Sequence, residues 1–126
     1  MEPGDALIMR AVLIVLCAGF FAGCQTKPRP IYYWGNYESL LYQDYSAPGK
    51  AAPEQQIETL KADREKAKSA NLPAPPGWHA HLGYLYSKIG RSDLAVQEFQ
   101  TEKSLFPESA KFIEALLAHS QAAPKP

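Results

Sequence analysis

Residues 76–107 read PGWHAHLGYLYSKIGRSDLAVQEFQTEKSLFP, and the spacing of their apolar side chains decides the fold. Leu82, Leu85 and Ile89 recur at intervals of three and four, which predicts a helix that ends at Gly90. A second apolar series follows within a few residues. The stretch therefore predicts two helices joined by a tight turn, with the period of about 34 residues that is typical of one class of helical repeat.

Small residues indicate where these two predicted helices cross. Gly83 lies in the middle of the first helix, where glycine costs about 1 kcal/mol relative to alanine. Ser92 is predicted to cap the second helix, which carries Ala95 and Phe99 on its inner face. We expect Gly83 and Ala95 to face each other, because a close approach of the two helices would explain the glycine.

Three further helices are predicted around this hairpin, since a single repeat cannot bury its own apolar surface. Asn36 is a suitable N-cap for a helix over residues 37–45, and a proline at the first helical position opens another over residues 53–70. A last amphipathic helix over residues 107–118 is expected to point Phe112 inward.

These elements predict an all-α fold of four to five helices that pack as antiparallel hairpins. The composition, 46% hydrophobic and 21% charged, is that of an ordinary globular domain. We predict a helical domain over residues 36–119 and a disordered tail over residues 120–126, where the apolar pattern stops.

An apolar run without a charge lies near the N-terminus, at residues 11–22. At 1.5 Å per residue it covers about 18 Å, well short of the roughly 30 Å hydrocarbon core. Residues 1–23 are therefore interpreted as a signal peptide. Phe21-Ala22-Gly23-Cys24 resembles a bacterial lipobox, which implies cleavage before Cys24 and attachment of lipid to it. The alternative is an ordinary secreted protein with Cys24 as a free thiol.

The mature chain would begin with a tether and aromatic segment over residues 24–35. Gln25 directly after the lipidated cysteine is what sorting to the outer membrane, facing the periplasm, would lead one to expect. Lipidation of Cys24 leaves no thiol, which excludes a disulfide framework. Removal of residues 1–23 gives a net charge of about +1, so the charge provides no argument for nucleic acid binding.

Residues 31–45 hold five of the seven tyrosines and one of the two tryptophans. Such rings can fill a core, lie in a membrane interface or anchor a partner protein. Tyr37 and Leu41 begin the helical pattern and are predicted to belong to the core. Tyr33 and Trp34 lie between tether and helix and are predicted to contact a partner.

The sequence contains none of the common catalytic or nucleotide-binding motifs, and we predict neither an enzyme nor a cofactor. His79 and His81, two apart on a helix, point about 200° away from each other and cannot chelate one metal ion. Glu98 and Glu102 share a helix face and are interpreted as surface carboxylates. Asp63 belongs to a mixed-charge face that is likewise interpreted as solvent surface.

Residues 82–99, with LFP at 105–107, closely resemble a tetratricopeptide repeat. His79 and Glu102 depart from the pattern, the latter where a small residue normally admits the next helix, so this unit is expected to be the last repeat. The resemblance implies a concave surface, and Tyr84 and Lys88 are predicted to bind a partner there. In that repeat family the positions of Ala80, Tyr84, Ser87 and Lys88 line the concave surface. The alternative is that a lone repeat has no real groove and that these side chains are simply exposed.

The chain is also similar to a family of short uncharacterised bacterial lipoproteins defined by a domain of unknown function. The resemblance lies in YYWGNY at 32–37, PEQQI at 53–57, HAHLG at 79–83 and LFPES at 105–109. Genes of that family tend to lie beside lipoproteins resembling the curli secretion channel, which implies such a lipoprotein as the partner. We therefore expect a membrane-anchored interaction or assembly module of an envelope or secretion complex. The alternative is a binding protein for a cell-wall fragment or peptide.

Overall fold

The helical periodicity of the sequence is matched by helices in the computed structural model, which describes residues 4, 8–10 and 28–122. Within residues 28–122 the elements are all helical, and the predicted all-α class is confirmed. Most of the predicted signal peptide, and Cys24 with it, lies outside the described residues. The elements are α1 (Tyr37–Ser46), α2 (Pro53–Ala70), α3 (Trp78–Lys88), α4 (Ser92–Leu105), a short 3-10 helix (Pro107–Ser109) and α5 (Ala110–Ala122).

The helix ends follow the local signals in the sequence. Pro53 occupies the first position of α2, where its missing N–H is not needed, and Asn71 ends that helix in the left-handed conformation. Gly90 adopts a φ of 76° after α3. The Arg91 N–H then donates to the Tyr86 carbonyl at 2.9 Å, which closes the turn into α4. Ser92, predicted as the cap, is instead the first residue of α4.

Helix α3 is shared by two apolar cores. On one side Leu82 and Leu85 pack with side chains of α1 and α2, and on the other side Ala80 packs with α4 and α5. The first core comprises Tyr37, Leu40, Ile57, Leu60, Trp78, Leu82 and Leu85, and the second comprises Ala80, Ala95, Phe99 and Ile113.

The predicted close crossing of α3 and α4 is confirmed. A Cβ atom added to Gly83 would lie 2.6 Å from Cε1 of Phe99 and 3.1 Å from the carbonyl oxygen of Ala95. Ala95 itself is fully buried. Only glycine therefore fits at position 83 without a shift of the Phe99 ring.

The carboxylates of α4 are buried, and their interpretation as surface groups was wrong. Glu102 is 1% exposed and accepts hydrogen bonds from the backbone N–H groups of Gly77 and Ala80, at 2.7 and 3.4 Å. It thus satisfies donors at the N-terminus of α3, where the helix dipole also favours a negative charge. This role explains why a carboxylate replaces the small residue that the repeat pattern leads one to expect at Glu102.

Asp63 on α2 is also buried, contrary to the prediction of a solvent face. Its Oδ2 accepts a hydrogen bond from the backbone N–H of Asn36 at 2.6 Å, and the Asn36 side-chain amide donates to the same carboxylate at 3.1 Å. Asn36 stands at the N-cap position of α1, as predicted, but its side chain makes no capping bond. The carboxylate of Asp63 instead holds the aromatic segment against α2.

The remaining differences concern exposure and the last boundary. Leu41, predicted in the core, is 45% exposed, because only one face of α1 packs against the domain and Leu41 lies outside that face. Phe112, predicted to point inward, is 60% exposed. Helix α5 continues to Ala122, beyond the predicted domain end at 119.

No helix in the described part of the chain is both long and apolar enough to cross a membrane.

Candidate functional site

An aromatic groove of about 480 Å³ lies between α1, α3 and α5. Helix α1 contributes one wall, α3 the floor and α5 the opposite wall. Most of the lining is apolar, and the size is that of a small-ligand or side-chain site. The groove is lined by Tyr37, Leu41, Asp44, Tyr45, Gly77, Ala80, His81, Tyr84, Phe112 and Leu116.

Three side chains of α3 stack in sequence on the floor and rim of this groove. The imidazole of His81 lies against the ring of Tyr84, with centroids 6.3 Å apart and planes 28° from parallel. The Nζ atom of Lys88 lies 5.0 Å above the centroid of Tyr84, a cation–π contact. Lys88 also lies 3.8 Å from Oδ1 of Asp44 on α1, so the two charges at this end of the groove offset each other.

His81 is 6% exposed, and its Nε2 has no hydrogen-bond partner among the described residues. Burial lowers the pKa of the imidazole below its usual value, with a smaller opposing effect from Asp44. The side chain is therefore neutral at neutral pH. Buried polar atoms are nearly always paired, so Nε2 is an unsatisfied polar atom beneath the lining of the groove, which a ligand reaches only if a covering side chain moves.

The outer side of α1 extends the groove into a wider apolar surface. Trp34 stacks on Tyr37 with ring centroids 6.4 Å apart, and it is 42% exposed. Tyr45 is 87% exposed and lines both the groove and this outer surface. The two regions are continuous because they share Tyr37, Leu41 and Tyr45.

A second cavity, of about 400 Å³, lies on the other side of α3. At this cavity Glu98 accepts hydrogen bonds from Arg64 at 2.8 Å and from Nδ1 of His79 at 2.6 Å. Burial raises the pKa of Glu98, but the hydrogen bonds from His79 and Arg64 outweigh it, so the pKa lies below its ordinary value. The guanidinium of Arg64 also lies 5.0 Å above the ring of Trp78. The charges pair with one another, and the arrangement is that of a structural network.

The described residues contain no group of three or more histidine, cysteine or acidic side chains placed to hold a metal ion. His79 and His81 lie in different surroundings, one paired with Glu98 and the other in the aromatic groove. The groove thus offers binding through rings and aliphatic carbons, with His81, tyrosine hydroxyl groups and the Asp44 carboxylate as its polar groups.

Both cavities fall within residues 31–116, which match the family model described as a domain of unknown function, DUF4810. The chain belongs to the DUF4810 family. The predicted membership of an uncharacterised family is thereby confirmed. Searches of curated proteins and of solved structures gave no significant match. The match to the DUF4810 model begins at Ile31 and ends at Leu116, which lies on the α5 wall of the groove.

The DUF4810 domain separates two residues that were predicted to act together. Trp34 lies on the aromatic surface, whereas Tyr33 lines the second cavity, and its backbone N–H donates to the Pro73 carbonyl at 2.9 Å. Tyr84 lines the groove, and Lys88 lies beside it, over the ring of Tyr84. The prediction that these four residues bind a partner remains a prediction.

Sequence reasoning missed part of the groove of the DUF4810 domain. Tyr45 and Leu41, four apart on α1, form one stripe of the wall, and their helical spacing was a signal that could have been used. Phe112 was assigned to the core, since periodicity identifies an apolar face without saying whether another helix covers it. His81 was considered as a metal ligand and dismissed, and its place on the floor has no local signal in the sequence.

Proposed function

We propose that this chain is a lipoprotein anchored through Cys24 in the bacterial outer membrane and facing the periplasm. Its DUF4810 domain is a protein–protein interaction or assembly module of an envelope or secretion complex. In this proposal residues 28–30 and the segment before them form the tether. The partner is another envelope protein, of the kind that resembles the curli secretion channel.

The observation that carries the proposal is the continuous aromatic surface formed by the groove and the outer side of α1. Trp34, Tyr42, Tyr45 and Phe112 are all exposed there. Large exposed rings are common anchors of protein interfaces, and a soluble monomer rarely leaves several of them together without a partner. Scattered single apolar residues would carry no such meaning.

The position of this surface along the chain supports a partner that is itself near the membrane. Trp34 lies ten positions after Cys24 in the chain, a distance of at most about 36 Å when fully extended. A lipid on Cys24 would therefore keep Trp34 close to the bilayer. A neighbouring lipoprotein is anchored in the same layer and would meet this surface at a high effective concentration.

The tetratricopeptide-like interpretation of the α3–α4 hairpin supports the same class of function. The turn at Gly90, the close approach at Gly83 and the adjoining groove are features that such repeats use to present a concave binding surface. In this proposal Glu102 marks the last repeat, and α5 covers the second core in place of a further repeat.

Two measurements test the proposal in cells. Labelling with a fatty acid should mark the wild type and leave Cys24→Ala unlabelled, whereas equal labelling would exclude the anchor. Co-purification of cross-linked envelope proteins should be reduced for Tyr45→Ala. The matched control is Leu105→Ala, an exposed apolar residue on α4 that lies outside the groove lining. Equal loss of the cross-linked partner in both variants would contradict the proposed surface.

A second candidate function is binding of a cell-wall fragment or peptide in the groove. Its concavity and its volume of about 480 Å³ favour this alternative, since both suit a small ligand. Trp34 stands beside the groove and serves as a fluorescent reporter, while Trp78 is buried in the core. Saturable quenching of Trp34 by muropeptides, without a cross-linked protein partner, would favour the binding protein over the assembly module.

A further inference from the structure

The unpaired Nε2 of His81 restricts what the groove can accept. A neutral imidazole carries its proton on one of the two ring nitrogens, so Nε2 is either a donor or an acceptor. A hydroxyl group both donates and accepts, and it satisfies Nε2 in either tautomer. An occupant that carries a hydroxyl group would thus remove an unsatisfied buried polar atom.

The side chains around His81 further restrict the chemistry of a ligand that could occupy the groove. Next to His81 lie the rings of Tyr37, at 6.0 Å between centroids, and of Tyr84, with aliphatic and aromatic side chains on α1 and α5. The charges of Asp44 and Lys88 offset each other. The groove thus suits a neutral ring with a single polar group, and a charged ligand would lose solvation without gaining a counter-charge.

We propose that the groove receives a tyrosine side chain of a partner polypeptide, whose hydroxyl group hydrogen-bonds to Nε2 of His81. This inference rests on the proposed function and specifies its partner. The ring packs among the apolar walls, and the residues flanking the partner tyrosine cover the outer surface with Trp34 and Tyr45. Access to Nε2 requires the ring of Tyr84, which stacks on the imidazole and is partly exposed, to rotate outward.

A sugar is a poorer match for the same groove. Each ring of a glycan carries several hydroxyl groups, and each of them must be hydrogen-bonded when it is buried. The lining offers Asp44, His81 and tyrosine hydroxyl groups, and the Asp44 carboxylate already faces Lys88. The apolar surface also continues from the groove across α1, further than one or two sugar rings would cover.

The test uses two probes that differ by one hydroxyl group. The full chain, purified in detergent and labelled with ¹⁵N-histidine, is titrated with N-acetyl-tyrosinamide and with N-acetyl-phenylalaninamide. We expect the tyrosine probe to shift the Nε2 resonance of His81 and to bind roughly fivefold to tenfold more tightly, the effect of one net hydrogen bond. The resonances of His79, on the other side of α3, serve as the internal control and should not move.

A variant and a third probe complete the experiment. In His81→Leu the two probes should bind with equal affinity, because the hydroxyl group has lost its partner. Equal affinities on the unmodified chain, tighter binding of diacetylchitobiose, or no shift at His81 at saturating probe would each overturn the inference. If His81→Leu fails to fold, the relative affinities of the tyrosine and phenylalanine probes for the unmodified chain still test the inference. Loss of the cross-linked partner in Tyr45→Ala together with equal probe affinities would leave the proposed function standing and remove this inference alone.

Discussion

The carboxylate of Glu102 lies 2.7 Å from the backbone nitrogen of Gly77, twenty-five positions earlier in the chain. The contact joins α4 to the N-terminus of α3. It places a buried carboxylate where the first N–H groups of a helix have no partner within the helix and need an acceptor. The stability of α3, and with it the floor of the groove, thus depends on a side chain of α4.

Replacement of Glu102 by alanine should destabilise the domain by about 2 kcal/mol, because the N–H groups of Gly77 and Ala80 would lose their acceptor. That is a large fraction of the 5–15 kcal/mol typical of a small domain. Urea unfolding monitored by circular dichroism measures the change. Glu65→Ala on the exposed face of α2 is the control and should cost less than about 1 kcal/mol. Equal midpoints for the two variants would show that the Glu102 contact is unimportant.

Enlargement of Gly83 should overpack the crossing of α3 and α4. A leucine there would collide with the ring of Phe99 and the backbone of Ala95, at a cost of about 1–3 kcal/mol. Gln97→Leu, on the exposed side of α4, should leave the melting temperature nearly unchanged. Thermal melts of both variants test this, and equal tolerance would argue against the close crossing.

Alanine substitutions of aromatic residues should distinguish rings that stabilise the core from rings that bind a partner. Tyr37→Ala removes a ring that is 7% exposed, and we expect a loss of about 3–5 kcal/mol, enough to unfold so small a domain. Trp34→Ala should cost little stability but about 2 kcal/mol or more of partner binding. Thermal melting and co-purification measure the two effects. Unfolding of Trp34→Ala, or full recovery of the partner, would contradict the role given to Trp34.

The stability of the domain should fall as the solution becomes mildly acidic. Burial lowers the folded-state pKa of His81, while the unfolded value is about 6.5. Below that value the unfolded state binds more protons, so stability decreases from about pH 6.5 down to the folded pKa. Tyr37 and Asp44 of α1 and Tyr84 and Lys88 of α3 surround the imidazole.

Melting temperatures of the wild type and His81→Leu between pH 7.5 and pH 5 test this prediction. The wild type should lose more stability than the variant over that range. The pKa of Glu98 is lowered, so its contribution is present above its unfolded pKa of about 4.3 and is lost only at lower pH. Parallel curves for the two proteins would mean that His81 does not control the acid response.

The sequence predicted what depends on local spacing. The intervals of apolar residues located the helices, Gly90 located the turn, and Gly83 with Ala95 located the crossing. The buried charges could not be predicted in this way, because Asp63 and Glu102 find their partners 27 and 25 positions away. Helical periodicity places a carboxylate on a face of a helix, but it does not say which backbone N–H groups that face will meet.

The groove was only partly predictable, because some of its residues reach it through the packing of distant helices. Tyr84 and Lys88 follow from the repeat pattern of α3, whereas Phe112 reaches the groove through the packing of α5. Tyr33 and Trp34 are neighbours in an irregular segment, where no period relates the directions of successive side chains. Their separation onto two sides of the domain depends on the contacts of Tyr33 with Pro73 and of Asn36 with Asp63.

The position of α3 between two cores has a consequence for hydrogen exchange and for ligand linkage. Neither half of the domain can open without exposing apolar side chains of α3, so the amides of this helix should exchange only through global unfolding. The groove floor is then as rigid as the whole domain. A partner that occupies it stabilises every helix at once, by RT ln(1 + [L]/Kd), which is about 2.7 kcal/mol at a hundredfold excess over Kd.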